Sequence, residues 1–548
     1  MPLHPGLLRL PTLPAMPLPP FAFFRRALPL YRLARPAALG AARVVLVLAL
    51  GPLAGVASAA PPAALPTVPG TASTAIAAIT ASTASIALPP AVEAALAHAR
   101  VPLEAVALLV VPVDGRAAPR LSHRAQVPMN PASVMKLVTT FAGLDLLGPA
   151  YTWSTPVYLD GTVQGGALRG NVYLRGQGDP ALVLERLWLL LRRLQGQGVQ
   201  AIVGDIVLDH SAFSVPAHDA ALFDGEPQRP YNAAPDALLV NFKSVAIGFV
   251  PDVAAGVAHV QFDPPLAGVQ APRQVPLAPA GTACGDWRAG LQAELADPAR
   301  WAFAGAYPAS CGERSWSVAY AEPGRYAERA VEGLWREMGG AITGSVRPGS
   351  VPAHLLPAFS ATSPPLSQVV RDINKYSNNV MAQQLFLTLA LPQNAQRAPG
   401  PGAAPGPATA EQARAVLRPW WAARVGRGTE LPDVDNGSGL SRSARATAAS
   451  LARMLQAAWA TPVMPELLAS LPIAGIDGTL RRSRAGLGQS AGRAHLKTGS
   501  LQGVLALAGY VHGDDGQRQV LVALVNHPNA AAARPALDAL VQWAARGR

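Results

Sequence analysis

At 548 residues, half of them apolar, the chain is longer than one hydrophobic core usually sustains and implies two or more packed domains, not a disordered polymer. The formal charge of +12 is uneven: Arg9, Arg25, Arg26, Arg32, Arg35 and Arg43 stand in the first sixty residues without an acid, and setting those six aside leaves +6. The remainder has no lysine/arginine run and no basic face interleaved with aromatics, so nucleic-acid binding is set aside, while the mild surplus suits an anionic polymer or, at most, peripheral contact with a membrane.

In chain order, the first expectation is an export signal over residues 1–60. An arginine-bearing stretch leads into "VVLVLALGPLAGVASAA" (44–60), whose "ASA" at 57–59 has the small-x-small pattern of a signal-peptidase site. A retained anchor fits less well, because the uninterrupted apolar run is shorter than the roughly 20 residues that span a bilayer and contains Pro52. Met16 offers a second start. Cleavage would place the chain in the periplasm. Residues 61–88, rich in Ala, Ser, Thr and Pro and without an amphipathic period, read as a flexible linker.

"VALLVVPVDG" (106–115) and "PRLSHRAQVP" (119–128) read as a strand pair, followed directly by a helix that opens in "NPASVMKLVTT" (130–140) and must stop at Gly148-Pro149. Residues 153–349 differ in character, with short β-like runs such as "GNVYLRGQGDP" and "AIVGDIVLDHSAF", and read as an insertion. They hold the chain's two cysteines, Cys284 and Cys311, which in an exported protein are expected to pair. No zinc motif or other metal pattern is present in the sequence. "LPQNAQRAPGPGAAPGPATA" (391–410) reads as a surface loop. Near the C-terminus "RAHLKTGS", "GVLALAGYVHG" and "QRQVLVALVNH" form an antiparallel meander, closed by the apolar-faced helix "AAARPALDALVQWAAR" docked on the sheet. Residues 89–152 and 350–548 thus assemble one α/β domain around the 153–349 insertion.

The opening of the 130–140 helix carries the first candidate chemistry. Asn130 suits an N-cap and Pro131 the first helical position, which puts Ser133 in the first turn with Lys136 one turn behind it on the same face. A serine needs a base to take its proton, and a lysine serves only if it is neutral near pH 7, a shift that takes on the order of 4 to 5 kcal/mol. Burial supplies part of this and a second cation more, so the hypothesis demands another lysine. Taken alone, a capped helix with a solvated lysine explains S-x-x-K better. "KYSNNVMAQQL" (375–385) and "HLKTGS" (495–500) reverse that reading. The first offers Ser377 as a proton relay and Asn379 as a hydrogen-bond partner, with Asn378 as a turn residue of no assigned role. The second places Lys497, Thr498, Gly499 and Ser500 on a strand, where the glycine admits a substrate backbone.

With these motifs in this order, the chain resembles the D-alanyl-D-alanine carboxypeptidase/endopeptidase family, the low-molecular-mass class C penicillin-binding proteins, from about residue 89 to the end. "GQGDPAL", "PYNAAPDALLVNF", "NGSGLSR" and "LPIAGIDGTLRR" also look like blocks of that family, and the long interval from Ser133 to Ser377 matches its inserted domains. The resemblance implies a penicillin-binding-protein/β-lactamase-like α/β fold, an antiparallel sheet flanked by helices, with a large β-rich insertion between S-x-x-K and S-x-N. It implies Ser133 as nucleophile, Lys136 as general base, Ser377 as relay and Asn379 as a ligand of the substrate's peptide carbonyl. Lys497 and Thr498 would hold the terminal carboxylate, beside Gly499, and the amides of Ser133 and Ser500 would form the oxyanion hole. It further implies peptidoglycan peptides as substrates, β-lactams as covalent inhibitors and no cofactor. Asn436 stands where the family pattern has Asp, a departure that touches no catalytic atom. A β-lactamase would share the motifs but lacks here an E-x-x-L-N-type stretch after S-x-N, and a silent binding scaffold would have no need of Ser133, Lys136 and Lys497 together.

Overall fold

The computed structural model describes residues 87–397 and 406–547. The export signal expected at 1–60, and the linker as far as residue 86, lie outside the described residues.

A five-stranded antiparallel sheet organises the catalytic body. Its strands are β1 (Val106–Pro112), β2 (Leu121–His123), β3 (Ala494–Leu501), β4 (Val504–His512) and β5 (Arg518–Asn526), in the order β3-β4-β5-β1-β2. The two chain ends therefore meet in one sheet: Val106 faces Val525, and Lys497 on the edge strand faces Ala508. Along β1, Ala107, Leu109 and Val111 enter one core and Val106, Leu108 and Val110 the other. Both faces are covered, which is why these strands read as continuous apolar runs and not as alternating ones. Helices α1 (Pro90–His98) and α6 (Arg534–Ala545) cover one face through Leu96, Leu537 and Leu540. The other face packs on α2 (Lys136–Leu147), α3 (Leu366–Tyr376), α4 (Asn379–Thr388) and α5 (Ala448–Trp459), through Phe141, Ile373, Leu385 and Leu451.

The inserted segment has two larger sheets sharing one core, to which Leu187, Ile202, Ile247 and Val331 belong, and a two-stranded pair of Ala293–Glu294 with Ala302–Phe303. One is mixed: Ala167–Arg175 pairs in parallel with Ala201–Val203 and Ile206–Asp209. Helices Leu184–Gly196 and Tyr326–Glu337 pack with it, the first burying Leu187, Leu190, Leu191 and Leu194 at three- and four-residue spacing. The other sheet is antiparallel, in the order Arg314–Ala319, Ser244–Asp252, Val257–Asp263, Gln274–Pro276. Phe359–Thr362 joins the mixed sheet as an edge strand against Ser154–Gln164, so this sheet continues past residue 349 before the chain enters α3. Within the expected 391–410 loop, Leu391–Gln396 is helical with a proline in its first turn, and Ala410 opens a helix to Trp421 under a Thr409–Gln412 capping box.

Cys284 and Cys311 are joined in a disulfide across a separation of 27 residues. Chain entropy gives a cross-link of that span about 3 kcal/mol. The double substitution C284S/C311S is expected to lower the stability of the insertion by that amount in urea unfolding, with acylation by penicillin unchanged. An unaltered midpoint would show that the loop is held by its packing alone.

Candidate active site

The first site element is built by unusual backbone. Asn130 exchanges two hydrogen bonds with the side chain of Asn526 at the end of β5 (2.8 and 3.0 Å), and its own Oδ1 accepts from the Ala132 N–H at 2.8 Å. Ala132 takes φ +46°, a conformation a non-glycine residue holds only when its surroundings fix it. Ala132–Met135 then forms a 3₁₀ turn, and the α-helix begins at Lys136. Ser133 therefore sits in a tighter turn ahead of the helix and not in the first α-turn expected from its sequence. The reason is crowding. Gly439 passes so close that a Cβ on it would lie 1.9 Å from the Ala132 carbonyl oxygen, and one on Gly499 would lie 2.6 Å from that of Pro131.

Lys136 is fully buried. Its Nζ lies 2.9 Å from Ser133 Oγ, 2.6 Å from Asn379 Oδ1 and 2.7 Å from the Ser438 carbonyl oxygen. The loop that supplies that carbonyl is "NGSGLSR", where Thr139 of α2 also donates to the Gly437 carbonyl at 2.7 Å. Asn436 closes the loop on itself: its Oδ1 accepts from the Ser438 N–H and hydroxyl, and its Nδ2 donates to the Leu440 carbonyl at 2.9 Å. That last bond needs the amide, so asparagine performs a task an aspartate could not.

The second element is the α3–α4 junction. Ser377 ends α3 in the left-handed region at φ 58°, ψ 36°, and Asn378 caps α4 by accepting from the Met381 N–H at 3.0 Å. Asn379, the first residue of α4, directs Oδ1 to Lys136 and Nδ2 to the Tyr231 carbonyl at 3.1 Å, so the insertion fixes the orientation of this amide. The third element is β3. Lys497, also fully buried, donates from Nζ to Ser377 Oγ at 2.8 Å and to the Thr498 carbonyl at 2.7 Å. The Thr498 hydroxyl lies 2.7 Å from that of Thr479, and Ser500 is exposed beyond it.

Burial first, and the charge of Lys497 second, hold the Lys136 ammonium well below the ordinary lysine range. Burial also brings Lys497 down to about 7. The arrangement thus disfavours the charged form of an amine held against a hydroxyl, with a second amine near enough to add to that effect. A cavity of 640 Å³ lined by His210, Asp236, Lys243 and Tyr320 lies in the insertion and holds none of these residues. Among the described residues there is no group of three or more His, Cys, Asp or Glu able to hold a metal ion.

Ser133, Lys136, Ser377, Asn379, Lys497, Thr498 and Gly499 are therefore gathered at one place. Sequence reasoning missed the carbonyls of Tyr231 and Ser438 and the hydroxyl of Thr479. A backbone carbonyl leaves no residue-type signature, and the only signal was that all three lie in stretches picked out as family blocks.

A D-alanyl-D-alanine carboxypeptidase from Actinomadura sp. (strain R39) is 29% identical over 408 residues, covering 71% of each chain. The D-alanyl-D-alanine carboxypeptidase DacB of Haemophilus influenzae is 27% identical over 404 residues, 73% of this chain and 80% of that one. The fold is that of the crystal structure of penicillin binding protein 4 (dacB) from Haemophilus influenzae, with a TM-score of 0.62 at 23% identity over 82% of this chain and 99% of that one. The family model for D-Ala-D-Ala carboxypeptidase 3 (S13) matches residues 88–547. With the match reaching from the start of α1 to beyond the end of α6, this chain belongs to the D-Ala-D-Ala carboxypeptidase 3 (S13) family.

Proposed function

We propose that the protein is a serine DD-peptidase of the periplasm that removes the terminal D-alanine of peptidoglycan stem peptides, or cleaves D-alanyl cross-links, through an acyl-enzyme on Ser133, and that β-lactams acylate the same oxygen. The observation that carries this reading is the environment of Lys136. A neutral amine has two N–H donors and one lone pair, and its three neighbours are two carbonyl oxygens, which can only accept, and one hydroxyl, which can donate. The two N–H bonds go to Asn379 Oδ1 and the Ser438 carbonyl, and the lone pair is left facing the Ser133 O–H.

Ser133 Oγ attacks the carbonyl carbon of the penultimate D-alanine while its proton passes to Lys136 Nζ. The amides of Ser133 and Ser500 stabilise the oxyanion, a role supported by the close passage of Gly499 beside the Ser133 turn. As the C–N bond breaks, the proton taken up by Lys136 passes through the hydroxyl of Ser377, which Lys497 holds, to the leaving amine, and Lys136 is again a neutral base. Asn379 keeps a second N–H for the substrate's peptide carbonyl, and Lys497 with Thr498 binds the terminal carboxylate. Water then attacks the ester and gives its proton to Lys136, which returns it to Ser133 Oγ as the acyl C–O bond breaks and the acid product leaves. Delivery to the periplasm rests on the leader at 1–60. No helix among the described residues is long and apolar enough to cross a membrane.

Mass spectrometry after exposure to labelled penicillin tests the reading. The expected result is one stable adduct per chain, mapped to the peptide that contains Ser133. Rapid release of hydrolysed penicillin would make the protein a β-lactamase, and no adduct would make it a binding scaffold.

A further inference from the structure

The stretch "LPIAGIDGTLRR" (471–482) carries none of the residues given a catalytic or binding role so far, yet it is built onto the catalytic strand. Its first half runs beside β3: the Leu496 N–H donates to the Pro472 carbonyl at 2.9 Å and the Ala474 N–H to that of Ala494 at 2.9 Å. The chain then turns back, with the Gly475 N–H on the Leu480 carbonyl at 3.1 Å. Gly478, at φ +54°, packs on the end of α3, where a Cβ would lie 2.7 Å from the Lys375 carbonyl oxygen. Lys375 is itself buried, two residues before Ser377, and its Nζ holds Asp477 Oδ2 at 2.6 Å. Asp477 Oδ1 accepts from the Ile473 N–H at 2.7 Å. This turn is thus fixed to both β3 and the helix end that carries Ser377. What it presents there is Thr479, exposed, with its hydroxyl 2.7 Å from that of Thr498.

We propose that Thr479 is a specificity-determining residue that selects substrates with a free C-terminal carboxylate, acting through the Thr498 hydroxyl; the inference rests on the serine DD-peptidase reading above. Each threonine has a single O–H. If Thr498 donates to Thr479, nothing is left for the ligand. If Thr479 donates to Thr498, the Thr498 O–H is directed outward, and a hydroxyl that already accepts a bond is a stronger donor. A carboxylate can only accept, so it selects the second direction and takes a charge-assisted bond from Thr498 beside Lys497. A C-terminal amide brings N–H donors of its own and a neutral carbonyl, and gains little from the chain. Thr479 therefore discriminates acid from amide and leaves the chemistry at Ser133 alone.

The test is kcat/KM for wild type, Thr479→Val and Thr479→Ser on a peptide ending in D-Ala-D-Ala as the free acid and as its C-terminal amide. Thr479→Val keeps the shape of an exposed side chain, and thermal unfolding checks its fold. It is expected to lower the value for the acid about tenfold, chiefly through KM, and to leave the amide within about twofold, with Thr479→Ser restoring the acid. Equal losses on both substrates, or no loss on the acid, would overturn the role of Thr479. Labelled penicillin on wild type separates the two levels: no adduct on Ser133 overturns the peptidase reading and this inference with it. An adduct together with an unchanged acid-to-amide ratio in Thr479→Val overturns the inference alone.

Discussion

Ser133→Ala is expected to abolish both the penicillin adduct and the release of D-alanine, a fall of at least about 10⁴-fold, while the protein unfolds at nearly the wild-type temperature. The two halves of this result have separate causes. On the proposed mechanism the hydroxyl is the atom to be acylated, and among the described residues the other two hydrogen-bond partners of Lys136 Nζ are carbonyl oxygens, which cannot replace it. For stability, the one side-chain bond of Ser133 among the described residues goes to Lys136, which keeps two acceptors when it is lost, so the cost is about 1 kcal/mol or less. Thermal unfolding beside the adduct measurement checks both. A variant that still trims D-alanine from a muropeptide would place the nucleophile elsewhere.

Lys136→Met should remove on the order of 10³-fold of the acylation rate, the usual worth of a positioned general base, and change stability far less than the loss of three hydrogen bonds implies. The amine is fully buried and held well below its ordinary pKa, so the fold already bears a cost for it that an apolar side chain of similar length removes. Against that gain, Asn379 Oδ1 and the Ser438 carbonyl lose their donor. The two effects oppose each other, and a net change within about 2 kcal/mol is expected from denaturant unfolding. If the variant keeps more than about a tenth of the wild-type acylation rate, in conflict with the range for a general base, the proton of Ser133 goes to another group.

Much of this site was legible in the sequence because its chemistry depends on residue type. A hydroxyl, two amines and an amide can be looked for by name, and the demand for a second lysine pointed to β3 before any contact was known. The sheet was legible for a similar reason, since β1, β4 and β5 are apolar on both faces and the turns from β3 to β4 and from β4 to β5 have two and five residues. The parts that did not show are carried by backbone. The left-handed conformations of Ala132 and Ser377 follow from what packs around them, not from their own side chains. The contribution of the insertion to the site is one carbonyl, that of Tyr231, which any residue could supply. The edge strand Phe359–Thr362 was equally hidden, because four residues of mixed burial acquire a strand's identity only from the partner Ser154–Gln164.

The central claim is that Lys136 acts as a free amine, made so by its burial and by the charge of Lys497. The pH dependence of acylation by labelled penicillin, in wild type and in Lys497→Met, tests it most directly. A lowered pKa means that the base is available above its folded value and is lost as the pH falls through it. The wild-type rate should therefore hold to a pH well below the ordinary lysine range before it drops. In Lys497→Met one of the two causes is gone while burial remains, so the drop should move to higher pH. A drop at the ordinary lysine pH in wild type, or one that stays in place when Lys497 is removed, would contradict the claim.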